Sequence, residues 1–277
     1  MHILQLQNRY IESVQDFLAR DPISNLYLLD LIDRQGIDFW GLHRWTGAFK
    51  QGKLIALNAD IACLEQGLPA KLSVPVGDPN ACRLLGEQTA SQGGTERIMA
   101  ERTAALAFYD GLGSPQYRIS YAQQLLYTQS EPENALPLEA ATQADYEQLV
   151  EYTALLRIED EEFDPRERDF DLWKQTVSIL ISQQRILIHK KNNEIVFVVE
   201  IGTRSQRGAQ VGSIYVPPQF RRKGFALSGV HGTTKALIQQ CSLISLLVNE
   251  HNIPARRCYD KAGWIVHSNF QLIEMDI

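Results

Sequence analysis

Three cations, Arg221-Arg222-Lys223, stand directly ahead of Gly224, and behind that glycine Phe225 and Ala226 open a helical pattern. Ala226, Val230, Thr233 and Leu237 recur at spacings of four, three and four, which places them on one helix face. The residues before Ala226 therefore form a helix N-terminus, where unpaired N–H groups and the positive end of the dipole lie beside the cations. This arrangement suits an anion of the diphosphate class, with Gly224 keeping a Cβ out of the way and Arg221, Arg222 and Lys223 adding charge. Taken alone, such a triplet is usually a solvated basic turn. Neither G-x-x-x-x-G-K-[ST] nor G-x-G-x-x-G occurs, so the loop is neither a Walker A loop nor a dinucleotide-binding turn.

The elements that must position this loop can be predicted on both sides of it. Ahead of it, Asp145 to Arg157 and Asp169 to Gln183 read as helices, and Arg185 to His189, Glu194 to Gly202 and Gln210 to Val216 as strands. After it come a helix from about Gly224 to Gln240, an apolar strand Leu243 to Val248, a short helix Ala255 to Ala262 and a last strand pair to Ile277. Pro254 suits the first turn of that short helix and Gly263 its left-handed exit. This order predicts an α+β fold with a mixed, mostly antiparallel sheet flanked by helices. Earlier in the chain, Ile11 to Ala19 and Ser24 to Arg34 read as helices, and Trp45 to Asn58 as a hairpin turning at Gln51-Gly52.

The segment Ser130 to Pro137 carries two prolines and two acids and has little to bury, so a domain boundary is expected near residue 131, dividing the chain into 1–130 and 131–277. Tyr109-Asp110 with Gly113 and Tyr259-Asp260 with Gly263 share their spacing, and each follows a predicted strand, which points to duplication. The first half lacks the basic loop. In its place stands Leu72 to Arg83, with one positive charge and no Arg-x-x-Gly-x-Ala.

Arg221-x-x-Gly224-x-Ala226, preceded by Tyr215-Val216-Pro217-Pro218, resembles the coenzyme A loop of the GNAT superfamily of N-acetyltransferases. Leu247 to Trp264 is similar to that family's next strand and helix, where an Asn (here Asn252) precedes an Ala (Ala255), a Tyr (Tyr259) and a Gly followed by an aromatic. The resemblance covers roughly Leu138 to Ile277 and implies two such domains in tandem, the first degenerate and either walling the acceptor site or making a homodimer contact. It implies acetyl-coenzyme A as co-substrate, with its pantetheine arm inserted between two splayed strands and bonded to the backbone of Ile214, Tyr215 and Val216. The acyl group would pass directly to a primary amine on a small molecule or peptide. A backbone N–H near Val216 would stabilise the oxyanion, and Tyr259 would return a proton to the departing thiolate. Transfer from a phenol of pKa about 10 to a thiolate near 8.5 is uphill by about 2 kcal/mol. The base is sought among Glu159, Asp160, Glu161, Glu162 and Asp164, or at Glu200 on a central strand, acting directly or through water. The acidic cluster reads equally as a solvated loop whose Asp169 caps the next helix.

Bulk properties narrow the alternatives. In 277 residues the chain is 44% hydrophobic and 22% charged, with no apolar run of about 20 residues and no basic segment leading into one, so a cytoplasmic protein without membrane contact is expected. Cys63, Cys82, Cys241 and Cys258 and the six histidines lack metal-ligand spacing, so no metal is expected. A net charge of -6 argues against nucleic acid as partner. The competing reading is a non-catalytic acyl-coenzyme A sensor, which would carry the same loop but has no need of Tyr259.

Overall fold

A computed structural model of the chain describes residues 1–38, 43–63, 70–130, 132, 134–161 and 163–276. Its elements follow one order twice. The first round is β1 (His2–Gln5), α1 (Ile11–Leu18), α2 (Leu26–Gln35), β2 (His43–Lys50), β3 (Lys53–Cys63), β4 (Ala70–Gly77), α3 (Pro79–Ser91), β5 (Arg97–Glu101), α4 (Arg102–Gly111) and β6 (Tyr117–Thr128). The second is β7 (Glu139–Ala140), α5 (Tyr146–Glu161), α6 (Pro165–Ser182), β8 (Ile186–Lys191), β9 (Glu194–Arg204), β10 (Ala209–Tyr215), α7 (Phe225–Ile238), β11 (Ile244–Asn249), α8 (Ile253–Lys261) and β12 (Ile265–Met275). The fold is therefore α+β and duplicated, as expected. Tyr109 on α4 and Tyr259 on α8 hold equivalent places in the two rounds.

Local chemistry explains most boundaries. The β2–β3 hairpin turns on Gln51 and Gly52 at φ 50° and 76°, the two left-handed residues of a tight primed turn. Helix α6 starts four residues before the expected Asp169, because Asp164 caps it from the Arg166 N–H (2.9 Å) and Pro165 fills the first turn. Asp169 interrupts it with extended backbone and caps the second segment from Leu172 N–H at 2.9 Å, so the predicted capping residue caps a kink.

All the described strands join one sheet, in the order β1-β2-β3-β4-β5-β12-β6-β11-β10-β9-β8-β7. It is antiparallel except at β4–β5 and β10–β11. The expected closing pair of strands is instead a single strand, β12. It pairs with β6 from Ile265↔Tyr127 to Met275↔Tyr117 and, on its other edge, with β5. β6 in turn pairs with β11, from Ile244↔Thr128 to Asn249↔Gln123. Each half thus lends its last strand to the other. Helix α2 crosses the same junction to lie on β9 and β10, and a Cβ added at Gly208 would meet Leu26 at 2.9 Å. The boundary expected near residue 131 falls on a position outside the described residues.

Apolar layers cover both faces. Val14, Phe17, Leu29 and Trp45 belong to one core cluster of the first half, and Phe197, Val199, Val230 and Leu246 to one of the second. Each such side chain contributes roughly 1.5–3 kcal/mol by leaving water.

Candidate active site

β10 and β11 run parallel, but they pair only from Ala209↔Ile244 to Val211↔Leu246. Beyond that point both strands continue, to Tyr215 and to Asn249, without pairing with each other. On its opposite edge β10 shifts register against β9 on both sides of Val211, which turns the strand away from β11. The result is a wedge-shaped gap between two central strands, with backbone groups of Ile214 and Tyr215 along one side. The gap belongs to a cavity of 1040 Å³ lined by Ile214, Tyr215, Val216, Arg221, Arg222, Gly224, Ala226, Asn252, Ala255, Tyr259 and Glu200, among others.

At its mouth α7 begins. Gly224 is the N-cap at φ 87°, no side chain caps the helix, and a Cβ there would meet nothing within 4 Å. Open space in front of uncapped N–H groups is what an anion requires. Arg222 also adopts φ 58°, a left-handed conformation costly for a residue with a Cβ, in the turn that presents these amides. Arg221 spans the loop. Its Nε donates to Val216 O at 2.8 Å, its Nη2 to both Glu159 oxygens at 2.8 Å, and its guanidinium lies 5.5 Å from the Tyr215 ring centre. Its charge is thus partly matched before any ligand arrives. Two predicted binding residues point elsewhere. Lys223 Nζ donates to Gln219 O at 2.8 Å and lies over the Phe220 ring, while the Phe225 ring packs edge-on against Phe220. Neither residue lines the cavity. Their side chains stabilise the loop from behind.

Tyr259 lies deeper, on α8. Asn252 caps that helix from Ala255 N–H at 3.2 Å. Gly263, at φ 77°, ends it with paired bonds, Trp264 N–H to Tyr259 O and Gly263 N–H to Asp260 O, both 3.0 Å. Burial pushes the Tyr259 phenol above its ordinary value, with Cys258 and Asp160 adding to the shift, so it remains a proton holder.

The acidic cluster divides. Glu159 pairs with Arg221, Asp160 Oδ1 accepts from Asn252 Nδ2 at 3.2 Å, and Asp164 caps α6; Glu162, one of the proposed bases, lies outside the described residues. Glu200 is buried on β9, with Oε2 2.7 Å from Arg157 Nη2, while Oε1 has no hydrogen-bond partner among the described residues. Arg157 in turn donates to Ser213 Oγ at 2.7 Å. Arg157 was missed, although the sequence carried a signal for it. It falls in phase with Leu149 and Thr153 on the buried face of α5, and a cation there needs a buried partner.

The first half closes the corresponding place. Asp78 caps α3 from Ala81 N–H at 2.9 Å, setting a carboxylate where α7 leaves an opening. Helices α3 and α4 also touch through glycines. A Cβ at Gly86 would lie 2.2 Å from Phe108 O, and one at Gly111 1.9 Å from Arg83 O, which leaves no room between them.

A parallel strand pair that opens at its end, beneath an uncapped helix, places the second half among known folds. Residues 191–271 match the FR47-like protein family model. The whole chain superposes on a GCN5-related N-acetyltransferase from Sphaerobacter thermophilus (TM-score 0.65, 14% identity, covering 98% of this chain and 94% of that one). The chain has the GNAT fold. It is likewise similar to a GNAT-family acetyltransferase from Colwellia psychrerythraea (TM-score 0.55, 13% identity, covering 100% of both chains). A tandem GNAT protein from the clavulanic acid biosynthesis pathway matches at TM-score 0.57 and 10% identity, covering 100% of this chain and 99% of that one. No curated protein sequence matches it. Among the described residues no helix is long and apolar enough to cross a membrane, and no cluster of His, Cys, Asp or Glu could hold a metal ion.

Proposed function

We propose that this GNAT-fold chain is an acyl-coenzyme A-dependent N-acyltransferase that moves an acetyl group to a primary amine, with its working site in the second half. The observation that carries the reading is the gap past Val211 and Leu246, which opens under the uncapped start of α7 and contains Tyr259. Acetyl-coenzyme A, when bound, supplies an activated acyl group as a thioester. Backbone groups of Ile214 to Val216 are left by the gap to pair with its amide-bearing arm. The N–H groups at the start of α7, with Arg222, are left for its diphosphate. Lys223 and Phe225 contribute backbone only.

Tyr259 holds the proton for the departing sulfur. Because burial raises the phenol, full transfer costs more than the roughly 2 kcal/mol that ordinary values give, so its main service is a strong hydrogen bond to developing negative charge. Glu200 lines the cavity and is the carboxylate that would receive the amine's proton by way of a water, since its Oε1 is itself buried and Oε2 is held by Arg157. Such proton management is worth about 10²–10⁴ in rate.

Calorimetric titration of the intact chain with acetyl-coenzyme A, followed by thiol release in the presence of amines, tests the reading. Saturable one-to-one uptake with amine-dependent thiol release is expected. Uptake without release with any amine would leave a binding module, and no uptake would end the proposal.

A further inference from the structure

The cations that line the cavity divide by what they touch. Arg97 is held by Glu274 at 2.7 Å, Arg157 by Glu200 at 2.7 Å and Arg221 by Glu159 at 2.8 Å, while Arg185 donates to the carbonyls of Ile201 and Gly202 at 2.8 and 2.6 Å. Arg222, Arg257 and Lys261 also line it, and among the described residues none of these three makes a hydrogen bond or an ion pair. All three belong to the end built by the loop ahead of α7 and by α8. Toward the first half the wall is apolar instead, made by Leu72, Met99 and Leu272, which the β4–β5 and β5–β12 pairings bring together.

Helix α8 sorts its side chains by face. Pro254, Arg257, Cys258 and Lys261 stand at i, i+3, i+4 and i+7, and all four line the cavity. Arg256, one position away, turns aside and donates to Gln124 Oε1 at 3.0 Å and to Glu250 O at 2.9 Å. Asp260, three residues beyond Arg257, pairs with neither cation among the described residues and does not line the cavity. Arg257 and Lys261 are exposed, whereas Tyr259 between them is buried. The same helix therefore presents a phenol to the depth of the gap and two hydrated cations to its rim. Like charges one turn apart repel, and no carboxylate offsets them.

We propose that Arg257 and Lys261 form a second anion site, separate from the one at the start of α7, which receives the phosphomonoester on the ribose of coenzyme A and selects donors that carry it. The inference rests on the acyl-coenzyme A reading and specifies which part of the donor is recognised. The donor has two anionic groups, and the α7 N–H groups with Arg222 match only the diphosphate. The ribose phosphate adds about 1.5 to 2 negative charges at neutral pH and three acceptor oxygens. A guanidinium meets such a group through two parallel N–H bonds and an ammonium meets it as a point charge, so one of each suits it. A diphosphate already seated at α7 also holds the second phosphate close, which makes its capture an intramolecular step. Exposure of both cations keeps the gain moderate, because water and salt screen it.

Calorimetric titration of the intact chain should be compared for coenzyme A and 3′-dephospho-coenzyme A, which differ only in that phosphate. Coenzyme A should bind about tenfold more tightly, and the double variant Arg257→Gln, Lys261→Gln should bring the two ligands to equal affinity. Both side chains are exposed and without partners, so the variant keeps its fold, and each single variant should remove part of the difference. Lys50→Gln with Lys53→Gln, exposed on the first-half hairpin, removes the same formal charge and should leave the ratio in place. Equal affinity of the wild type for the two ligands overturns the assignment, as does a ratio that survives the double variant, or one that the Lys50 and Lys53 substitutions also abolish. Failure of both ligands to bind would instead sink the acyltransferase reading beneath it.

Discussion

Gln123 donates its side-chain N–H to the Asn249 carboxamide oxygen at 2.9 Å, although 126 positions separate them. Gln123 belongs to β6 and Asn249 ends β11, three residues before the Asn252 that caps the tyrosine-bearing helix. Nearby, Glu250 N–H donates to Ala122 O at 2.8 Å, and Arg256 Nε to Gln124 Oε1 at 3.0 Å. The first half thus supports the floor of the proposed site, whose candidate residues lie in the second.

A fragment beginning at residue 131 lacks β6 and leaves the edges of β11 and β12 bare. Expressed alone it should show no cooperative unfolding and no acetyl-coenzyme A uptake, and co-expression with 1–130 should restore both. A cooperative, coenzyme-binding fragment would contradict the exchange.

Gly224→Ala meets no neighbour, so its cost is conformational, about 1–2 kcal/mol for a Cβ at positive φ. The loop should relax rather than the fold melt. Denaturation should show a loss no larger than that, while calorimetry shows acetyl-coenzyme A affinity falling by about tenfold or more.

Tyr259→Phe should lower kcat by about a hundredfold with coenzyme affinity nearly unchanged. It also alters the pH dependence of stability. The folded phenol is raised above the ordinary value of about 10, so the neutral tyrosine's contribution is complete below that value and is lost as pH rises through the higher folded value. Urea denaturation should therefore show wild type losing stability in strong alkali relative to Tyr259→Phe.

Glu274 on β12 is clamped from both neighbouring strands, by Arg97 of β5 at 2.7 Å and by Arg118 of β6. Burial pushes its carboxyl up, but the two guanidiniums outweigh that and hold it below its ordinary value. The stabilisation is complete above the unfolded value of about 4.3 and is lost as pH falls through the folded one. Glu274→Gln should cost about 1 kcal/mol at neutral pH, with the two proteins converging in acid denaturation curves.

What could be read from the sequence was whatever rests on local chemistry. The 3.6-residue phase of Ala226 to Leu237, the Gln51-Gly52 turn, and the Pro254 and Gly263 ends of α8 all act within a few residues, and the structure has each of them. Asp164-Pro165 was a readable helix start that the stronger Asp169 pattern obscured, since both residues cap. The single closing strand was illegible for a different reason. Alternation in Ile265 to Met275 marks a strand but cannot name its partners, and β5 and β6 lie more than a hundred residues away. The cavity wall from the first half follows from that pairing and was equally out of reach. Lys223 illustrates a subtler limit, because charge in a loop says nothing about which way the side chain turns, and here Gln219 O holds it aside.

Amide hydrogen exchange on the intact chain, with and without acetyl-coenzyme A, tests the central claim most directly. Exchange at Ile214 to Val216 and Phe225 to Leu227 should slow on addition of the coenzyme, while the first-half amides from Pro79 to Ser91 stay as they were. Saturated binding that leaves both second-half segments unprotected, or that protects the start of α3 instead, would contradict the assignment of the gap between β10 and β11 as the coenzyme site.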